Sequence, residues 1–321
     1  MRPPGFWFEP PGALAEALRP LGALYATATA RRVARPGERM PVPVICVGNA
    51  VAGGAGKTPT VRALCDRLAA RGRAAHVVTR GHGGRLRGPV TVTAGHTAAE
   101  VGDEPLLLAR DHPVHVARDR AAGARLAVER GAEAIVLDDG LQNPQPAKDL
   151  TLMVIDAEVG FGNGRVIPAG PLREPVEAAL ARTDLVLAAG PPDARAALRR
   201  SRPWPVPVID GWLEPLGGVA WRGRRVVALA GIGRPERFFA TLRGLGAEVV
   251  EAVALADHAP IPPALLDRLE ARAEREGATL ACTEKDAVRL APRDRDRVAP
   301  LPVRMALDPP RLDAALDRLG L

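Results

Sequence analysis

The chain has 321 residues, of which 47% are apolar and only 3% aromatic, with a net charge of +7 and a pI near 10.2. Length and apolar content suit two domains with cores built from Ala, Leu and Val. The basic balance points to anionic partners (nucleotides, phosphorylated lipids, a membrane surface or nucleic acid), although arginine-biased composition produces the same sum. The three cysteines, Cys46, Cys65 and Cys282, lie far apart in apolar segments, which excludes a disulfide framework or zinc spacing and reads as reduced thiols in a cytoplasmic protein.

No run approaches the roughly 20 apolar residues a bilayer span needs, and Glu9, Glu16 and Arg19 interrupt any signal-like apolar core. Phe6, Trp7 and Phe8 cluster at the start, and Leu14, Leu18, Leu21, Leu24 and Tyr25 follow at helical spacing before Arg31, Arg32 and Arg35. Such a stripe suits a membrane interface over residues 1–35, and equally a helix packed on the core.

From about residue 41 to 190, within a phosphate-loop domain expected over 36–205, apolar runs alternate with helical patterns. Strands are expected at 42–47, 75–79, 113–117, 134–138, 151–155 and 185–188, and helices at 57–70, 104–111, 119–130 and 174–182. This alternation predicts a mostly parallel α/β sheet with helices on both faces, whose ligands bind beyond the carboxyl ends of the strands.

Between the first strand and the first of these helices stands Val51-Ala52-Gly53-Gly54-Ala55-Gly56-Lys57-Thr58. Strand, glycine turn, Lys-Thr and helix is the layout of a phosphate-binding loop, in which glycines let backbone N–H groups approach phosphate oxygens. Val51 stands where the strict pattern has Gly. Against that, only three of the 44 basic residues are lysines (Lys57, Lys148 and Lys285), and one is placed here. Lys57 is positioned for the β/γ-phosphates of a nucleotide and the Thr58 hydroxyl for Mg²⁺. The structural alternative is a flexible turn capping a helix.

Other polar clusters follow strands. Gly102-Asp103-Glu104-Pro105 opens a helix, with Asp103 as its cap or as a base. The strand 134–138 ends in Asp138-Asp139-Gly140, a metal-holding tip or an Asp-Gly turn. Arg80-Gly81-His82-Gly83-Gly84 suits an anion contact or a surface turn.

Residues 190–222, rich in Pro, Gly, Trp and Arg, read as a linker. A smaller C-terminal α/β lobe is expected over 206–321, with strands at 225–231, 247–255 and 278–282 and helices at 234–244, 262–276 and 309–319. Asp257-His258 and Thr283-Glu284-Lys285-Asp286 follow its strands. His258 is a structural histidine or half of a base dyad across the cleft.

In this order the motifs resemble the tetraacyldisaccharide 4′-kinases of lipid A biosynthesis. The resemblance runs through Gly48-Asn49, Gly53-Gly54-Ala55-Gly56-Lys57-Thr58-Pro59, Arg80-Gly81-His82-Gly83-Gly84, Gly102-Asp103-Glu104-Pro105 and Asp119-Arg120. It continues through Asp138-Asp139-Gly140-Leu141-Gln142, Phe161-Gly162-Asn163, Pro168-Ala169-Gly170-Pro171-Leu172-Arg173-Glu174-Pro175, Asp257-His258 and Thr283-Glu284-Lys285-Asp286. It implies a phosphate-loop fold and transfer of the ATP γ-phosphate to the 4′-hydroxyl of a tetraacylated glucosamine disaccharide at the cytoplasmic face of the inner membrane. By the same resemblance Asp103 is the base with His258 as partner, Lys57 neutralises the transferring phosphoryl group, Asp138 and Asp139 position nucleotide and metal, and Thr58, Asp138 and Glu174 hold Mg²⁺. No nucleic-acid or obligate protein partner is expected. Ala55, His82, Asn143 and Ala259 depart from the family's usual Thr, Tyr, His and His. An ATPase switch of the deviant phosphate-loop class is the competing reading; its loop begins Lys-Gly-Gly, and Ala52 occupies that lysine's place.

Overall fold

The computed structural model describes residues 3–217, 220–257 and 259–321. Its strands are β1 Val44–Gly48, β2 Ala75–Thr79, β3 Val90–Thr91, β4 Val114–Val116, β5 Ala134–Asp138, β6 Leu150–Asp156, β7 Leu185–Ala189, β8 Val208–Pro215, β9 Arg225–Ala230, β10 Glu248–Ala254, β11 Thr279–Thr283, β12 Ala299–Leu301 and β13 Val303–Leu307. Its helices are α1 Ala13–Val33, α2 Lys57–Ala70, α3 Ala98–Val101, α4 Asp103–Leu108, α5 Arg120–Glu129, α6 Val176–Leu180, α7 Pro192–Arg200, α8 Pro235–Gly244, α9 Pro263–Arg275, α10 Glu284–Arg289 and α11 Pro309–Asp317.

A nine-stranded sheet runs β13-β8-β7-β6-β1-β5-β2-β4-β3, and a four-stranded sheet runs β10-β9-β11-β12. In the large sheet the edge strands β3 and β13 pair antiparallel with β4 and β8 respectively, and the other pairings are parallel. Successive residues point to opposite faces: Ile45 and Val47 pack with Val61, Leu64 and Leu68 of α2 and Leu312 and Leu316 of α11, whereas Val44 and Cys46 pack with Ala124 and Ala127 of α5. Both faces are covered, which is why β1 is apolar throughout rather than alternating. The small sheet repeats the scheme, with Val226 and Ala228 against Phe239 and Leu242 of α8, and Val227 and Leu229 against Leu266 and Leu269 of α9.

The segment 190–222 is not a linker: it contains α7 and β8. Pro192 starts α7, where a missing N–H costs nothing, and β8 buries mainly its first residues, so its pattern does not alternate cleanly. The large sheet also takes in β13, so the chain leaves it after β8, builds the small sheet, and returns. A division at 205/206 therefore does not coincide with sheet membership. The return is fastened by Asp313 of α11, which takes Arg67 of α2 and Arg71 at that helix's C-cap.

The N-terminal helix α1 packs through Ala15, Gly22 and Thr29, a seven-residue repeat of small side chains. A Cβ at Gly22 would lie 2.8 Å from the Val166 carbonyl, so the contact is close. Phe8, Leu14, Leu21, Leu24 and Tyr25 face outward. Trp7 is held in place: its Nε1 donates to the Pro168 carbonyl at 3.0 Å, and its carbonyl accepts from the Asn163 N–H at 2.8 Å. Among the described residues no helix is long and apolar enough to cross a membrane.

Candidate active site

A cleft of about 2370 Å³ opens at the carboxyl edge of the large sheet and is walled on its other side by the second lobe. The loop from Asn49 to Thr58 forms its floor. Asn49, buried at the end of β1, donates through Nδ2 to the Val51 carbonyl at 2.6 Å and so curls the loop. The proline-rich segment braces it from outside: Ala52 N–H donates to the Pro171 carbonyl at 2.7 Å, and Arg173 N–H to the Ala50 carbonyl at 2.8 Å. Gly56 turns into α2 at φ 89°, a left-handed conformation that favours glycine. Lys57, Thr58 and Pro59 of the first turn of α2 line the cleft, so the end of the helix that carries the positive dipole and the N–H groups no helix can satisfy internally lies at the cleft.

The tip of β5 lies beside this loop, since Val47 pairs with Asp138. Asp138 is buried; Thr79 Oγ1 donates to its Oδ2 at 3.2 Å, whereas its Oδ1 is buried with no hydrogen-bond partner. Burial, with the negative charges of Glu104 and Asp139, pushes its carboxyl up to about 7 against the pull of Lys57 and Arg120. Asp139 is a non-glycine residue at φ 55°, and its strained backbone turns the side chain toward Lys57 and Arg173. Arg173 Nη1 donates to both its oxygens at 2.7 and 2.9 Å, and Lys57 Nζ lies 3.7 Å away. Burial resists ionisation of Asp139, but Lys57, Arg173 and Arg120 outweigh it and hold the carboxyl at about 2. Arg120 clamps the turn itself, donating to the carbonyls of Asp138 and Asp139 at 3.2 and 2.9 Å.

Asp103 opens α4 and is buried just behind the cleft wall, which Glu104 lines. Glu104 N–H donates to Asp103 Oδ1 at 3.0 Å. Gly102 before it sits at φ 94°, and a Cβ there would meet the His82 carbonyl at 2.5 Å, so the motif at 80–84 and the one at 102–105 are packed as one unit. From the second lobe, Lys285 of α10 reaches Glu104 at 3.1 Å, Asp257 at 3.8 Å and Asp103 at 4.0 Å. His258 lies outside the described residues.

The expected phosphate-loop residues, Val51 through Thr58, all line the cleft together with Asp138 and Asp139. The orphaned buried oxygen of Asp138 and the nearby Thr58 hydroxyl suit a hard divalent cation. Glu174 is placed differently. It is buried away from the cleft, with both oxygens held by Arg182 Nη2 at 2.7 and 2.8 Å and one also accepting from Gln142 Nε2 at 2.9 Å. The residues to which the motifs assigned no role are Arg120, Arg173 and Lys285. Arg173 stood inside the proline-flanked motif and Lys285 among the rare lysines, but an arginine-rich chain hides which guanidinium matters.

A loop shaped for phosphates, opening onto a cleft that a second lobe faces, places the molecule among the phosphate-loop phosphotransferases. Residues 14–320 match the family described as tetraacyldisaccharide-1-P 4′-kinase. A tetraacyldisaccharide 4′-kinase of Dinoroseobacter shibae is 60% identical over 99% of this chain and 98% of its own length, and one from Jannaschia sp. is 54% identical over 99% of both. The crystal structure of LpxK from Aquifex aeolicus in complex with ATP superposes with a TM-score of 0.77 at 26% identity, covering 96% of this chain and all of that one. The chain belongs to the tetraacyldisaccharide 4′-kinase family, the one its ordered motifs resemble.

Proposed function

We infer that this protein is an ATP-dependent kinase that phosphorylates the 4′-hydroxyl of a tetraacylated glucosamine disaccharide 1-phosphate, yielding lipid IVA. The observation that carries the reading is Lys57 at the head of α2 beside Asp139, on a loop whose residues Val51 to Thr58 all line the cleft. The N–H groups of Gly53 to Thr58 cradle the β- and γ-phosphates, and Lys57 leaves Asp139 to neutralise the oxygens of the moving phosphoryl group. Asp103 takes the proton of the 4′-hydroxyl as that oxygen bonds to the γ-phosphorus and the bond to the β-phosphate oxygen breaks, releasing ADP. His258 partners Asp103 in this step. Thr58 and Asp138 hold Mg²⁺, which when bound supplies neutralising charge on the phosphates. Asp139 and Arg173 keep the cations around the loop in register, and Glu174 acts one step back, through Gln142 and Arg182.

The outward face of α1, with Leu14, Leu21, Leu24 and Tyr25, together with Phe8 just before it, rests on the cytoplasmic face of the inner membrane and leads the acyl chains toward the cleft, which Phe8 and Tyr25 also line. Large apolar side chains outside and small ones inside is the arrangement expected of an interfacial helix rather than of one held by the core.

The test is to incubate protein, detergent, γ-labelled Mg-ATP and tetraacyldisaccharide 1-phosphate and follow the label. It is expected in a lipid carrying one added phosphate. ATP turnover that ignores the lipid would support the ATPase switch instead.

A further inference from the structure

Lys285 is the point where the second lobe grips the first at the expected base. It is anchored at its own end. Thr283 caps α10 by accepting the Asp286 N–H at 3.1 Å, and the fully buried Asp286 accepts the Gly231 N–H at 3.0 Å and pairs with Arg289. Arg289 in turn donates to the carbonyls of Gly231 and Ala259 at 3.0 and 3.1 Å, tying α10 to the loop that follows β10. The backbone bearing Lys285 is therefore fixed within its lobe.

Its side chain, mostly shielded from solvent, crosses to α4 of the large lobe. The ammonium meets Glu104 at 3.1 Å and Asp103 Oδ2 at 4.0 Å, while Asp257 of its own lobe stands at 3.8 Å. The Asp103 Oδ1 is already tied to the Glu104 N–H. The ammonium thus faces the other oxygen, and the attraction is little screened because the groups are shielded from water. A flexible lysine stem suits this task, since its point charge can follow the carboxylates while the lobes approach.

We propose that Lys285 is a positioning residue for phosphoryl transfer: by docking the second lobe on the acidic start of α4, it orients Asp103 when the cleft is closed. The proposal rests on the reading of Asp103 as the base. It assigns Lys285 no contact with ATP in the phosphate loop, so nucleotide affinity and turnover separate.

The experiment compares Lys285→Met, Lys285→Arg, Asp103→Asn and the double variant Asp103→Asn/Lys285→Met, with melting curves confirming that each is folded. Lys285→Met is expected to lower kcat by about 10–10²-fold, the scale of a lost orienting contact, with KM for ATP within about threefold of wild type. Lys285→Arg keeps the charge and is expected to recover part of kcat. In the Asp103→Asn background Lys285→Met is expected to cost almost nothing further, because its effect runs through Asp103. Full turnover by Lys285→Met, or an undiminished loss on top of Asp103→Asn, overturns the proposal. Should Lys285→Met fail to fold, Lys285→Arg with and without Asp103→Asn carries the same comparison. Near wild-type turnover by Asp103→Asn alone instead overturns the reading of the base beneath it.

Discussion

Lys57 Nζ lies 3.7 Å from Asp139 Oδ1, so the phosphate-loop lysine rests on an aspartate in the turn just past the neighbouring strand β5. The carboxylate stands where phosphate charge is expected, and Arg173 holds it there from the other side. Lys57→Met should therefore weaken nucleotide binding and lower kcat by about 10²–10³-fold, the scale of one lost transition-state cation. Filter binding and labelled transfer measure the two effects; an unchanged kcat would remove Lys57 from the chemistry.

Asp138 sits in the opposite regime, buried and with its carboxyl raised to about 7. The folded, metal-free protein holds that proton over a range where the unfolded chain has released it. Between the ordinary aspartate range and about pH 7, stability contributed by this group therefore falls as pH rises. Asp138→Asn, which cannot ionise, should leave the metal-free protein at least as stable as wild type in mildly alkaline buffer, while Mg-dependent transfer collapses. Urea unfolding and the transfer assay decide; a clear loss of stability in the variant contradicts the burial account.

His76 and His115 share a hydrogen bond at 3.0 Å inside the large sheet, and His115 reaches the Thr91 hydroxyl at 3.1 Å. Burial lowers both, and His76 and Arg130 add to the effect on His115, which falls to about 4. The unfolded chain protonates these rings first. Stability is full above the ordinary histidine range and is lost as pH falls from there toward 4, by at most about 1.4 kcal/mol per pH unit for each proton. Urea midpoints between neutral and mildly acidic pH should show this slope, and His115→Asn should flatten it.

Much of this was legible beforehand. β1, β2, β5, α2 and α9 follow from apolar runs and helical spacing bounded by Gly and Pro. The phosphate loop was legible because a rare lysine follows clustered glycines. What stayed hidden depends on contacts distant in sequence. β8 leaves Trp212, Leu213 and Glu214 exposed and fully buries only three of its eight residues, and β13 is recognisable only from its antiparallel partner, so neither has a self-contained pattern. Glu174 illustrates the same limit: it stands in a telling motif, but Arg182 eight residues on, indistinguishable in sequence from the other arginines, takes both its oxygens.

The outward face of α1 predicts a separation of binding from folding. Leu21 and Leu24 are 52% and 68% exposed. Leu21→Asp with Leu24→Asp should change stability by less than about 0.5 kcal/mol, as for surface sites, but sharply reduce co-sedimentation with anionic phospholipid vesicles. Undiminished co-sedimentation would remove α1 from membrane contact.

The account turns on where the triphosphate sits, and a crystal structure with a non-hydrolysable ATP analogue and Mg²⁺ measures that directly. It should show the β- and γ-phosphates on the N–H groups of Gly53 to Thr58, with Lys57 Nζ moved from Asp139 onto phosphate oxygen. A nucleotide bound elsewhere in the cleft, with Lys57 still resting on Asp139, would contradict it.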